Sequence, residues 1–469
     1  MKKIYVICLL FVTIISFAQQ ESGNQPIAGI SAPVVGQIKP PPLLITPDKA
    51  VEMAIENNLG LKSTILTNQA KRRASQATWN VLIPTADASA TLGRLNEAPT
   101  PYPPPFNTIF GDRYQWVLTG GLQFSLTLNI GTFTGMKQTI EEWKAGKITI
   151  EKAKLQLERD VRKSYFQLLL IQEQVELLRG SYANAERQFA VAQANYRAGL
   201  IPEVNLLQVQ VARENLRPQI DEAENMYRMA LASFAMFLGL PYNAEFELEP
   251  IPGNVEFIVL EADELITKAA ANKPEIEEFR RTLAALKAQR TSVFFNLFTP
   301  SIVLGLNFDP TFQGDPMKDK WFDSSNWGQQ SGMFRVTLAW RLNGLIPFTK
   351  EFQGYQAIND AVKAMELGMS QLVQGTEMEV YNIILQLERT RTTTDVHRMT
   401  LDLAERTLRL SEAAYRSGFK TFLEVQNDEL ALRQARLGGL QQNYNYLMGL
   451  LDLEYAIGVP FGTLSGGQK

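Results

Sequence analysis

The feature that most constrains the fold is a long pattern that occurs twice. YRAGLIPEVNLLQVQ begins at Tyr196 and YRSGFKTFLEVQNDE begins at Tyr415, an offset of 219 positions (415 − 196). The same offset relates Gly199 to Gly418 and, further on, Ala212 to Ala431, Gly239 to Gly458 and Pro241 to Pro460. A repeat unit of roughly 200 residues is too long for a solenoid module. The sequence therefore predicts a duplicated domain with internal pseudo-twofold symmetry.

Each half contains a very long amphipathic helix. In the first half, apolar and small residues keep the three-four spacing of a coiled-coil seam, through Val175, Leu178, Tyr182, Ala185, Phe189, Ala192 and Tyr196. This helix is predicted from about residue 135 to 198, which corresponds to a length on the order of 95 Å. The second half has two apolar stripes, one of them through His397 and Tyr415, and two stripes indicate two neighbouring helices. His397 is interpreted as a register-setting polar residue rather than a proton switch.

The repeated Tyr-Arg-x-Gly sequence predicts the place where each long helix reverses. Glycine accepts the left-handed conformation that follows a helix C-terminus, and Pro202 or Thr421 then opens the returning helix. The two helical hairpin tips are placed at about residues 196–205 and 415–428. Along the returning helices, Pro218 and the Gly438-Gly439 pair are expected to weaken or kink the helix.

Two strands are predicted in each half, between helical segments. From Tyr114 to Ile130 the even positions are apolar and the odd positions are mostly polar, and 333–346 repeats this alternation with Arg335 and Arg341 on the polar face. Weaker partners precede them, so that the four strands cover about residues 84–96, 112–130, 300–310 and 333–346. Such strands suit a membrane barrel that encloses water, in which the two arginines either tune the lumen or are merely solvated. The alternative is a soluble, half-buried sheet.

Four strands cannot close a membrane barrel. After residue 18 no apolar run approaches the roughly 18 to 20 residues of a membrane-spanning helix, so a crossing by this chain would use strands. An open strand edge in lipid leaves backbone groups unsatisfied, at a cost of several kcal/mol each. The chain is therefore expected to oligomerise.

The first 18 residues are expected to be a signal peptide, with Lys2 and Lys3 before an apolar run and Ser16 and Ala18 at a small-residue cleavage site. Residues 19–44 form a Pro-rich extended segment. The first repeat covers 45–245 and the second covers 260–462, followed by a tail at 463–469. Cys8, the only cysteine, would leave with the signal peptide, so no disulfide is expected.

The residue inventory does not favour catalysis or nucleic-acid binding. The net charge is −3 and no basic cluster stands out, so nucleic acid is not an expected partner. There is one histidine and there is no Gly-rich phosphate loop or His-x-x-His pattern. We expect no enzymatic activity, no metal site and no cofactor.

The helix, strand and turn motifs, taken in their order along the chain, resemble the TolC-like outer-membrane efflux protein family. The resemblance covers nearly all of the chain after residue 44, from the Asn-Asn-x-x-Leu and Asn-Lys-Pro-x-Ile openings to the Leu-Gly-Leu-Pro and Ile-Gly-Val-Pro endings. It implies a mainly α fold with membrane β: a homotrimer whose long antiparallel coiled-coil helices form an α-barrel tunnel in the periplasm. The four strands of each subunit would contribute to one shared twelve-stranded barrel in outer-membrane lipid.

The resemblance also assigns roles to residues at the two tips. The acidic ring of the closed entrance matches Glu424 and, with an uncharged departure, Asn427. A basic latch between hairpins matches Lys420, and its partner position falls on Asn205. Asp428 is expected to point to another face of its helix. The surface that docks a periplasmic membrane-fusion adaptor matches Gly199, Leu200, Gly418, Phe419 and Thr421.

The sequence thus predicts a passive exit duct of a tripartite efflux or type I secretion system, gated at its periplasmic tips and powered by an inner-membrane transporter. The alternative is a periplasmic coiled-coil adaptor or scaffold without a membrane barrel. Glu424 also has two interpretations, since Thr421 to Glu424 is a capping box in which the glutamate only closes the start of a helix.

Overall fold

The structure, a computed structural model, describes residues 43–97, 100, 103, 115–250, 257–312, 315, 317–321, 323–328, 332–417 and 419–464. The predicted signal peptide, the segment 19–42, Gly418 and the last five residues of the predicted tail lie outside the described residues. The predictions for those parts stay predictions.

Helices make up most of the described chain. In chain order they are α1 (Pro47–Asn57), α2 (Leu59–Gln76), α3 (Ile130–Arg197), α4 (Glu203–Glu214), α5 (Leu216–Phe237), α6 (Ala262–Asn272), α7 (Pro274–Phe298), α8 (Lys350–Arg416) and α9 (Phe422–Ile457). None of those lying in the described residues combines the length and the apolar composition that a membrane-crossing helix requires.

The two longest helices, α3 and α8, have 68 and 67 residues. At 1.5 Å per residue each is about 100 Å long. Each begins at a side-chain cap: the Asn129 amide oxygen accepts from the backbone N–H of Gly131, and the Thr349 hydroxyl accepts from that of Phe352. Helices this long are stabilised by packing along their length, and here α3 packs against α7 while α8 packs against α9.

The main hydrophobic core lies midway along the long helices. Tyr165 of α3 is fully buried, and its hydroxyl donates to the carbonyl oxygens of Ile45 and Glu249, both at 2.9 Å. These carbonyls flank a small sheet formed by β1 (Leu43–Ile45) and β4 (Phe246–Leu248). Residues of α1, α2, α5, α6, α8 and α9 complete the core.

A four-stranded antiparallel sheet lies where α3 begins and α7 ends. Its strands are β2 (Thr85–Arg94), β3 (Trp116–Leu128), β5 (Ser301–Phe308) and β6 (Met333–Ala339), in the order β2-β3-β5-β6. Leu342–Leu345, inside the segment predicted as a strand to residue 346, form a 3-10 turn.

The register places the even-numbered residues of all four strands on one face. Phe124 lies opposite Ala86 and Leu306, and Leu306 lies opposite Phe334. The described residues leave much of this apolar face uncovered, with Leu122, Phe124, Ile302, Leu306, Phe308, Phe334, Val336 and Leu338 all exposed. The opposite face carries polar residues, among them Asp87, Gln123, Asn307 and Arg335. A single-layer sheet with one exposed apolar face is poorly suited to water.

The two returning helices differ. The first is interrupted at Asn215, between α4 and α5, three residues before Pro218, which has no N–H to continue the hydrogen-bond ladder. The second, α9, continues through Gly438 and Gly439 without interruption. A Cβ on Gly438 would lie 2.7 Å from Cε1 of His397, so this glycine permits a close approach of the imidazole.

Candidate functional site

The first hairpin tip connects α3 to α4 through backbone geometry. Gly199 has φ +72, and the N–H of Leu200 donates to the carbonyl of Asn195 at 2.9 Å, the long hydrogen bond of a Schellman cap. Pro202 occupies the N-cap of α4, where it offers no side-chain acceptor. Leu200 is 72% exposed at the end of the turn.

The second tip is built around a polar cap. The Thr421 hydroxyl accepts from the backbone N–H of Glu424 at 3.4 Å, and the Glu424 carboxylate accepts from the backbone N–H of Thr421 at 2.7 Å. The capping box expected from the sequence is therefore present. The hydrogen bonds from Thr421 lower the pKa of Glu424 below its ordinary value, so this exposed carboxylate is ionised at neutral pH.

Lys420 forms its ion pair inside its own hairpin. Its ammonium group lies 3.0 Å from Oδ2 of Asp428 on α9 and 2.6 Å from Oγ of Ser411 on α8. The Ser411 hydroxyl, in a side chain only 1% exposed, also donates to Asp428. The hydrogen bonds from Ser411 and Lys420 lower the pKa of Asp428. We call these three residues the clasp, because they join the two helices of the second hairpin.

An apolar cluster joins the two hairpins near their tips. Phe422, at the start of α9, is buried together with Ala192 of α3 and Val209 of α4. Tyr415 packs edge-on against Phe422 with ring centroids 6.2 Å apart. A cavity of about 260 Å³ remains beside this cluster, bordered also by Val425, so the contact is not tightly filled.

A polar contact links the same two hairpins farther from the tips. The amide of Gln188 on α3 donates to the carboxylate of Glu429 on α9 at 3.4 Å, beside a polar cavity of about 330 Å³. Arg187, Glu412 and Arg433 also border this cavity. Burial is the main cause that raises the pKa of Glu429 above its ordinary value.

The remaining predicted residues lie apart from the clasp. Asn205 is half-buried in the first turn of α4, and Asn427 is exposed on α9. Phe419 is 87% exposed at the second tip, in the position that matches Leu200. Arg335 is exposed on β6, whereas Arg341 lies beyond the strand, at the N-cap of the 3-10 turn. Gly418 lies outside the described residues.

Sequence reasoning missed the residues that hold the second tip together. Asp428 was expected only to point away from the entrance, and the structure places it against Lys420. The usable signal was a lysine one residue before an N-cap with an aspartate two turns into the following helix, since a lysine side chain is long enough to span that gap. Gln188 and Glu429 carry no comparable local signal because their contact joins distant parts of the chain.

Known proteins match this chain in sequence. Residues 50–240 match the family described as outer membrane efflux protein. Nodulation protein T of Rhizobium leguminosarum bv. trifolii is 22% identical over 351 residues, covering 72% of each chain.

Solved structures match the fold across most of the chain. A membrane protein from Pseudomonas aeruginosa superposes with a TM-score of 0.72 at 18% identity, covering 93% of this chain and 96% of that one. The CmeC outer membrane channel of Campylobacter jejuni superposes with a TM-score of 0.71 at 16% identity, covering 93% of each chain.

Proposed function

We propose that three copies of this chain form one passive exit duct. The proposal proceeds from the chain being a TolC-like outer membrane efflux protein, located in the outer membrane with its helical portion in the periplasm. The four strands of each copy would complete a twelve-stranded barrel, and the long helices would form the tunnel below it. A periplasmic adaptor would dock at the tips, and an inner-membrane transporter would supply the energy.

The observation that carries this proposal is the uncovered sheet. Its apolar face stays exposed among the described residues, and β2 and β6 have no strand partner there on their outer sides. Lipid against that face and a neighbouring copy at each edge would satisfy both the side chains and the backbone groups. The alternative, a water-soluble scaffold, would leave this face in contact with water. We also infer that the two halves arose by internal duplication, which is supported by the paired helices α3 and α8.

The second tip supplies a charged group for the entrance. Glu424 is exposed and ionised, and three copies around a threefold axis would form a ring of negative charge. Such a ring attracts cations in a narrow passage. Asn427 would line the same entrance without charge. Lys420 is held by Asp428, so a latch to Asn205 of a neighbouring hairpin would require the clasp to open.

Adaptor docking is supported by two exposed apolar residues at matching places. Leu200 and Phe419 each follow the end of a long helix and project from the tips. Thr421 and Gly199 fix the turns that carry them. Exposed apolar side chains at the ends of helical hairpins are suited to contacts with another protein.

Membrane extraction and electrophoresis test the assembly. We expect the protein to leave the membrane fraction only with detergent, and to run as a trimer when unheated and as a monomer after boiling. A detergent-free, water-soluble monomer would contradict the duct and favour the scaffold.

Conductance in planar bilayers tests the role of Glu424. Glu424→Gln keeps the capping hydrogen bonds, because glutamine can also close a capping box, but it removes the charge. We expect a lower preference for cations, and Glu424→Ala should add a loosened tip to that effect. Unchanged ion selectivity in Glu424→Gln would exclude this carboxylate from the gate.

A further inference from the structure

Two apolar segments at the junction of sheet and helices are exposed in the single chain. Residues 79–83 lead into β2, and Trp79 is 57% exposed, with Val81, Leu82 and Ile83 also exposed. Residues 342–348 follow β6, and Phe348 is 92% exposed, with Leu342, Leu345 and Ile346 also exposed. We call them the lead-in segment and the lead-out segment.

The lead-out segment is held in a fixed conformation. The Thr349 hydroxyl donates to the carbonyls of Asn343 and Ile346, and the Gln353 amide donates to that of Pro347. Gly344 is buried against α7, where an added Cβ would lie 2.3 Å from Leu297. The apolar side chains of this turn therefore project outward from a hydrogen-bonded segment that packs against α7.

The lead-in segment is also ordered by its own backbone. Its 3-10 turn, Thr78–Leu82, has the N–H of Asn80 donating to Ala77 and the N–H of Ile83 donating to Asn80, each at 2.9 Å. All side chains from Trp79 to Pro84 are exposed. A segment that exposes this much apolar surface is expected to be buried against another surface.

Both segments lie at the same end of the sheet, at its two opposite edges. β2 begins at Thr85 opposite Ser125, and β6 ends at Ala339 opposite Ser301. These positions are close to Leu128, the last residue of β3, after which α3 begins at Ile130. The lead-in segment thus extends the edge strand β2 toward the helices, and the lead-out segment extends the edge strand β6 in the same direction.

Only one pairing of these edges keeps all helices on one side of a membrane. Antiparallel pairing of β2 with β2 of a second copy, about a twofold axis perpendicular to the sheet, would turn the second set of helices to the opposite side. Rotation about the membrane normal instead brings β2 of one copy beside β6 of the next, and because the two strands run in opposite directions the antiparallel ladder continues. Paired strands lie about 4.8 Å apart, so the segments that extend them must come into contact.

We propose that the lead-in segment of one copy packs against the lead-out segment of the next, so that three such contacts form an apolar collar at the base of the barrel. This proposal rests on the proposed trimer and adds the surface that joins its copies at the junction. Burying the collar would remove Trp79, Ile83, Ile346 and their neighbours from water at the same place where the strand pairing ends.

Paired cysteines test the collar. In a Cys8→Ser background the chain has no other cysteine, so Trp79→Cys with Ile346→Cys, and Ile83→Cys with Leu342→Cys, report contacts between copies alone. After mild oxidation and boiling without reductant, we expect the chain to shift from the monomer band to dimer and trimer bands. The matched control joins Ile346→Cys to Arg94→Cys, at the far end of β2 about 30 Å away, and should remain monomeric.

The outcomes separate the collar from the trimer. An unheated trimer that boils to monomer in both test pairs would overturn the collar and leave the junction facing lipid. A protein that is monomeric even before heating would overturn the trimer itself. Linking of the control pair as efficiently as the test pairs would also overturn the collar, because the cross-links would then be nonspecific.

Discussion

The two hairpin tips reverse the chain at matching places, but they are held by different interactions. At the first tip the turn depends on the positive φ of Gly199, and Pro202 begins α4 with no side-chain cap. At the second tip Thr421 and Glu424 form a capping box, and the clasp ties Lys420 to Asp428 and Ser411.

This difference separates what each tip can respond to. Backbone conformation and apolar contact change little with pH or salt, whereas hydrogen-bonded carboxylates respond to both. The first hairpin is also interrupted at Asn215, while α9 runs unbroken to Ile457. The second hairpin therefore has an electrostatic means of loosening its tip that the first hairpin lacks.

The largest effect is expected where the two tips meet. Phe422 is 7% exposed and contacts both hairpins, so Phe422→Ala should weaken their contact by about 3 kcal/mol, the lower end of the range for buried phenylalanine because a cavity already adjoins it. Amides around Ala192 and Val425 should then exchange hydrogen about 100-fold faster in the detergent-solubilised protein.

Phe419 provides the matched control for that substitution. It lies three residues away on the same tip and is almost fully exposed. Phe419→Ala should change the exchange of the same amides by less than a factor of about 3, within the roughly 0.5 kcal/mol typical of surface substitutions. Equal effects of the two variants would mean that Phe422 does not hold the hairpins together.

The next effect tests the backbone origin of the first tip. Gly199→Ala places a Cβ in the left-handed region, at a cost of about 1 to 2 kcal/mol. Gly180→Ala, in the exposed middle of α3 with open space around it, should instead stabilise the helix by about 0.5 to 1 kcal/mol. Amides of α3 should therefore exchange hydrogen faster in Gly199→Ala and more slowly in Gly180→Ala. Slower exchange in Gly199→Ala would mean that the first tip does not depend on the positive φ of Gly199.

Much of this architecture could be predicted from periodicity. The three-four spacing places α3 at Ile130–Arg197 within a few residues of the predicted 135–198, since a seam of this length leaves little freedom. The alternation from Trp116 to Leu128 likewise specifies which face each side chain occupies. Local capping chemistry identified Thr421 and Glu424 because all its atoms lie within one helical turn.

The contacts between hairpins could not be predicted in the same way. The Gln188–Glu429 contact joins residues 241 positions apart and depends on how two coiled coils settle against each other. The role of Gly438 is similar: as a sequence feature it indicates a weak helix, yet it accommodates His397 from another helix. Local patterns describe each helix, whereas these contacts depend on the distance between helices.

A smaller effect is expected from breaking the clasp. Asp428→Asn keeps hydrogen-bond acceptance but removes the charge. Because the pair is partly exposed, the free energy of opening at the end of the second hairpin should fall by no more than about 1 kcal/mol, and its amides should exchange correspondingly faster. The pKa of Asp428 is lowered, so its contribution is present above the ordinary value of about 3.9 and is lost as pH falls through the lowered value. Asp402→Asn, which breaks an exposed pair with Arg406, should leave the tip unchanged.

The smallest effect concerns Glu429, and its pH dependence has the opposite sign. Burial raises the pKa of this carboxyl, so the contact it makes is most stable below the ordinary value of about 4.3 and weakens as pH rises through the raised value. The hydrogen bond from Gln188 and the charge of Arg433 on the same helix limit this rise in pKa, whereas the charge of Glu412 from α8 adds to it; Arg187 from α3 borders the same cavity. Glu429→Gln should therefore slow amide exchange around Gln188 at pH 7 by a few fold and match the unmodified chain near pH 4. If Glu429→Gln instead sped exchange at pH 7, the ionised carboxylate would be stabilising the contact, and acid would weaken both the clasp and the contact between hairpins.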